Sequence, residues 1–155
     1  MQGSPAIITA LNELLANELT AMDQYFIHSR MYEDWGMNKL FERIDHEFDD
    51  EKEHASLLIQ RILFLEGTPD LSKRDPIKVG HDVVSMLSND LQVEYTVGAL
   101  LKKAMALCEQ ESDFVTRNML QKLIDDTEND HTYWLEQQLG LIKKIGIENY
   151  IQSQL

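Results

Sequence analysis

Apolar residues recur along this chain with the three- and four-residue spacing of helix faces. Ile8, Leu11, Leu15, Leu19, Met22 and Phe26 mark a first helix over about 5–33. Ser4 caps it, Pro5 takes the first helical position, where the missing N–H costs nothing, and Gly36 follows its end. Asn38 caps a second helix over about 39–65, whose inner face reads Leu40, Ile44, Glu47, Glu51, His54, Leu58, Ile62 and Leu65. A third, over about 82–109, carries Leu87, Leu91, Glu94, Gly98 (or Val97), Leu101 and Met105 on one face. After Ser112-Asp113 a fourth, over about 113–138, sets Leu120 (or Gln121), Ile124, Glu128, His131 and Leu135 in register. Gly140 and Gly146 bracket its exit, and a short last helix is predicted over 147–154.

The connections set the topology. The first–second and third–fourth links are short, so each pair forms an antiparallel hairpin. Residues 66–81 hold Gly67, Pro69, Pro76 and Gly80 and are not helical. Sixteen extended residues reach about 53 Å, against about 38 Å for a 25-residue helix. The segment can therefore run the length of the bundle and make helices two and three parallel. The expected fold is all-α, a four-helix bundle with the single long crossover of ferritin-like folds and a short C-terminal fifth helix, forming one domain over residues 1–155.

The polar residues on these apolar stripes carry the chemistry. Glu51-x-x-His54 and Glu128-x-x-His131 each follow a lone glutamate on another stripe, Glu18 and Glu94, at nearly the same separation. A single Glu-x-x-His is usually a solvated helix face. Here six such residues fall on core-facing stripes of four helices in matching order, the ligand set of a di-iron or di-manganese carboxylate centre. Glu and His one turn apart can hold one cation, and a carboxylate can bridge two within about 4 Å. Four carboxylates balance two divalent cations, which is what makes their burial tolerable. Zinc is the poorer fit, since structural zinc sites favour Cys or His.

Charge agrees with cation binding. The 155 residues hold 27 acidic and 14 basic side chains, a formal charge of −13. Part of the excess clusters beside the proposed ligands, at Glu47, Asp49, Asp50 and Glu53 and at Asp125, Asp126 and Asp130. Nucleic acid is thereby an unsuitable partner. No apolar run is long enough to cross a bilayer, the N-terminus lacks the pattern of a secretory signal, and Cys108 is the lone cysteine. The expected location is cytoplasmic.

Leu14–Leu19, Gln24–Met31, Ile62–Gly67 and the tail Gly146-Ile147-Glu148-Asn149-Tyr150 make the chain resemble the bacterioferritins over nearly its whole length. The resemblance implies a homo-oligomeric shell of 24 subunits that oxidises ferrous iron with dioxygen or peroxide and stores ferric mineral. By position it implies Glu18 and His54 as terminal ligands of one iron, Glu94 and His131 of the other, and Glu51 and Glu128 as bridges. It also implies an inner-surface iron at His46 and Asp50, and an electron-donating role for Tyr25. By themselves His46 reads equally as a surface histidine and Tyr25 as a core aromatic. One residue departs: haem-binding members carry methionine immediately after the first bridging glutamate, and this chain has Lys52. An ammonium cannot ligate iron, so a shell of this subunit alone is not expected to bind haem b in the family's usual way. A mixed shell with a haem-ligating subunit remains open, as does a ferredoxin-type electron donor for iron release.

The function expected is therefore a ferroxidase that stores iron. A di-metal peroxidase or oxygenase is the alternative. One cysteine excludes the Cys-x-x-Cys pairs of a rubredoxin domain, and oxygenases are usually longer chains. A DNA-protecting miniferritin would lack the doubled Glu-x-x-His, and an intact ligand set argues against a purely structural subunit.

Overall fold

The computed structural model describes residues 1–155. Its helices are α1 (Pro5–Asp34), α2 (Asn38–Phe64), α3 (Val83–Gln110), α4 (Phe114–Asp125), α5 (Tyr133–Ile145) and α6 (Ile147–Ser153). A π-helical turn, Asp126–Thr132, joins α4 to α5, so these three segments form one continuous fourth rod. There are no strands. The rod runs on to Ile145 rather than ending near 138; Gly140 sits inside it as a helical residue.

Each hairpin turn is short. In the first, Gly36 takes φ 76° and lets the Met37 N–H reach the Tyr32 carbonyl at 3.0 Å. In the second, Ser112 stands in the equivalent place at φ 58°, and the Asp113 N–H bonds the Cys108 carbonyl at 2.8 Å. The caps differ from the sequence reading. Ser4 is in the cap position but makes no side-chain cap bond, and Asn38 is the first helical residue, with Met37 before it. Asp82 and Asp113 do cap, accepting from the backbone N–H of Ser85 and of Thr116.

Side-chain bonds between the rods give their directions. Gln24 and His28 of α1 meet Asp90 of α3, and Tyr25 meets Glu94, so α1 and α3 are antiparallel. His54 meets Asp126 and Arg61 meets Thr116, so α2 and the fourth rod are antiparallel. With α1 antiparallel to α2, helices α2 and α3 are parallel, as the crossover requires. That crossover is fastened along α1 in sequence order: Asp70 N–H to Asn12 (2.9 Å), Asp75 N–H to Thr20 (2.8 Å), Lys78 N–H to Gln24 (3.0 Å) and Gly80 N–H to His28 Nε2 (3.0 Å). Gly80 is obligatory there, because a Cβ would lie 2.5 Å from the Met86 nitrogen. Short α6 packs back through Tyr150, buried, which donates to Gln138 at 2.7 Å.

Two apolar clusters fill the bundle. One, from Ile7 to Leu19 on α1 and Val97 to Cys108 on α3, occupies one half. The other, around Tyr25, Tyr32, Leu40, Ile44, Leu87, Leu135 and Tyr150, occupies the other half. Between them, at the level of Glu18, the interior is polar. Phe26, read from the sequence as part of the α1 stripe, is 46% exposed and stacks on Phe48 at 4.9 Å instead. The inward face at that level belongs to Glu18, Tyr25 and His28.

A side chain in the left-handed region costs about 1–2 kcal/mol. Ser112→Gly should therefore stabilise the protein by about 1 kcal/mol and raise the thermal midpoint by about 2–4 °C. Calorimetry that finds a lowered midpoint contradicts this account of the second turn.

Candidate metal centre

Four rods deliver the polar groups at mid-length. Glu18 comes from α1, Glu51 and His54 from α2, Glu94 from α3 and His131 from the π turn, none more than 1% exposed. Their ligand atoms form two triads, Glu18–Glu51–His54 and Glu51–Glu94–His131, each with all atoms within 4.8 Å of one another. Glu51 belongs to both. His54 Nδ1 lies 3.1 Å from Glu18 and 3.5 Å from Glu51. His131 Nδ1 lies 3.2 Å from Glu51 and 3.3 Å from Glu94. The imidazoles are near-parallel with centroids 6.1 Å apart.

The outer ring nitrogens are held crosswise. His54 Nε2 of α2 meets Asp126 of the fourth rod at 2.8 Å. His131 Nε2 of the fourth rod meets Asp50 of α2 at 3.1 Å and also touches Glu47. A carboxylate on the far nitrogen fixes the tautomer that presents Nδ1 inward and strengthens it as a donor. Arg43 steadies this outer layer, bonding Glu47 and Asp130 at 2.6 Å each while its guanidinium lies over Trp134.

Burial and mutual contact set the protonation. Burial, with the Glu51 charge beside it, raises the Glu18 carboxyl well above its ordinary value. Burial likewise lifts Glu94 to about 7. Burial would raise Glu51 too, but its close contacts with Glu18, His131 and His54 outweigh it and hold Glu51 below the usual range. The histidines go the other way. Burial opposes their charge, yet Glu18 and Glu51 push His54 up to about 11. His131 is also raised, by Glu94, Asp50, Glu47 and Glu51. In this state the imidazoles carry the positive charge, and a proton on Glu18 removes one of the negative charges buried beside them.

Within the two triads, Glu18 Oε1, Glu51 Oε2 and Glu94 Oε2 are buried without a hydrogen-bond partner. Each unmet acceptor costs about 1–3 kcal/mol, and a cation between the rods satisfies all three. Carboxylate oxygen with imidazole nitrogen suits iron or manganese. The donor set therefore fits a pair of hard divalent cations. Tyr25, fully buried, donates to Glu94 Oε1 and is kept a phenol by burial and the nearby carboxylates.

Of the ten positions singled out from sequence, Glu18, Glu51, His54, Glu94 and His131 converge, with Tyr25 against them. Asp50 lies on the rim and His46, 61% exposed, beside it at 3.5 Å. Lys52 is exposed and lines a shallow apolar hollow with Leu19, Met22, Phe48, Ala55 and Ile59. Glu128 is a correction. Its side chain is 46% exposed and paired with Lys102 at 2.5 Å, not turned inward. A π turn takes up about one residue more than an α turn, so His131 shares its face with Thr127 and Glu128 is carried outside. Asp126 was missed, since an α-helical register through Glu128 and His131 turns it away from the interior. Glu47 lay on the inner stripe without a role.

Comparison with known proteins places this geometry. The ferritin family, described as a ferritin-like domain, matches residues 8–145. A "Bacterial ferritin" of Synechocystis sp. is 63% identical over 155 residues, covering all of this chain and 99% of that protein. One of Pseudomonas aeruginosa is 57% identical over the whole of both chains. A "Bacterioferritin" of Mycobacterium leprae is 39% identical over 97% of this chain and 94% of its own.

Cations and protons compete for the same atoms here, because ligands must be deprotonated to bind. Cobalt(II) titrated into the protein should release protons at pH 7, and its affinity should rise from pH 6 to pH 8 by about tenfold per proton displaced per pH unit. Calorimetry in two buffers of different ionisation enthalpy reads both. An affinity flat with pH would place the cobalt elsewhere.

Proposed function

Since this chain belongs to the ferritin-like family, we propose that it stores iron by oxidising it: Fe(II) enters the buried centre as substrate, and ferric product is laid down inside a hollow shell of 24 copies. The observation that carries this reading is the pair of buried triads sharing Glu51, with carboxylate oxygens left unmet. Glu18 and His54 hold one iron, Glu94 and His131 the other, and Glu51 touches both. Two ferrous ions give up one electron each. With two protons that pair of electrons reduces dioxygen to hydrogen peroxide, or hydrogen peroxide to two waters. The crosswise carboxylates Asp126 and Asp50 keep the imidazoles aimed inward throughout. Tyr25, bonded to Glu94, is placed to donate a further electron. His46 and Asp50, on the rim beside His131, receive iron on its way to the store.

No helix is long and apolar enough to cross a membrane; the proposed setting is the cytoplasm, with a ferredoxin-type donor for iron release. The net charge of −13 favours cations over nucleic acid. Lys52 specifically favours a subunit without haem, alone or in a mixed shell beside a haem-ligating one. No thioether stands at that position, and the one sulfur lining the same hollow is on α1, at Met22.

Glu18→Ala or His131→Ala should slow the initial aerobic oxidation of Fe(II) by about 100-fold while native mass shows an intact assembly. Rates equal to wild type would refute the assignment. Protein purified as the homo-oligomer, offered haem and then freed of unbound haem by gel filtration should show no Soret band; a band with bis-methionine character would contradict the role given to Lys52.

A further inference from the structure

The two hairpins keep the same register until one position. Glu18 stands as far before Asp34, the end of α1, as Glu94 stands before Gln110, the end of α3. The turns that follow, from Trp35 to Met37 and from Glu111 to Asp113, are equal in length. On the second helix of each hairpin, Glu51 is as far from the first helical residue, Asn38, as Thr127 is from Phe114. Glu128 falls one place later. His131 likewise stands one place farther along its rod than His54 does along α2. The fourth rod therefore holds an additional residue before His131, and the π turn absorbs it. Single π turns of this kind occur frequently at functional sites.

Thr127 is thus the counterpart of Glu51. Its side chain is 1% exposed and its Oγ1 has no hydrogen-bond partner. Other helical threonines here behave differently: Thr20 and Thr96 donate to the carbonyls of Ala16 and Gln92, at 2.8 and 3.0 Å. Thr127 lies one turn before His131, with its methyl facing Gly98, one turn after Glu94. Charge points the same way. Glu18, Glu51 and Glu94 supply three negative charges against the four positive charges of two divalent cations, leaving room for one more anionic ligand such as hydroxide.

We propose that Thr127, not Glu128, stands opposite Glu51 in the loaded centre, where its hydroxyl holds a solvent-derived ligand, water or hydroxide, between the two cations. Glu51 is then the sole bridging carboxylate and Glu128 an outer residue. This rests on the cation centre proposed above, and its test separates the two.

Cobalt(II) is titrated into the assembled protein, with stoichiometry and the visible cobalt bands as readouts. Glu51→Gln should lose cobalt; if it binds two per chain like wild type, the centre itself is misassigned. Glu128→Gln should keep two cobalt ions per chain with little change in affinity. Thr127→Val should shift the visible bands and weaken the second cobalt by about tenfold, the worth of one hydrogen bond. Deleting Thr127 sets Glu128 and His131 as far from the start of their rod as Glu51 and His54 are from the start of α2; in that background Glu128→Gln should cost one cobalt. The proposal is overturned if Glu128→Gln in the full-length chain loses a cobalt or weakens it by more than about tenfold, the change reserved for a lost ligand contact. It is equally overturned if Thr127→Val leaves spectrum and affinity unchanged. Where the deletion fails to assemble, the point variants decide.

Discussion

Carboxylates buried in the middle of an apolar bundle survive only if something positive neutralises them. That constraint organises this molecule. The two apolar clusters stop short of each other, and the gap holds Glu18, Glu51, Glu94 and both inward imidazoles. Without a cation, protons do the neutralising, on Glu18, His54 and His131. The same atoms that hold these protons would hold metal, so the folded state and the loaded state differ in what fills the centre more than in where its walls stand.

The walls are fixed from outside. Asp126 and Asp50 cross from each hairpin to the histidine of the other, and Arg43 ties Glu47 to Asp130. The crossover is stitched along α1 from Asn12 to His28, and the buried His28–Asp90–Gln24 cluster locks its end. These contacts give the centre a near-twofold frame. The π turn breaks that symmetry at one point, replacing a carboxylate position with a hydroxyl.

Much of this was legible in the sequence, and the reasons are physical. Helical periodicity, with prolines and glycines confined to the ends and the crossover, predicted four rods, their order and the parallel pair. Five of the six proposed ligands lie where apolar spacing puts them, because a core-facing stripe leaves few other places for Glu18 or His54. Other features escaped, and three of them show why. The fourth rod passes Gly140, since one glycine costs a helix only about 1 kcal/mol and Ile142 beyond it still packs against the second apolar cluster. Asn38 lost its cap role to turn geometry just before it. Glu128 escaped because Glu-x-x-His presumes an α turn. The apolar pattern gives no sign of an inserted residue; the only trace was that Glu94 and Glu128 stand one place farther apart than Glu18 and Glu51.

Anomalous scattering from crystals soaked in cobalt(II) tests the central claim most directly. Two peaks within about 4 Å of each other, both in contact with Glu51 and each beside one histidine, are the result this account predicts. Full loading with no density between Glu18 and His54, or between Glu94 and His131, would contradict it.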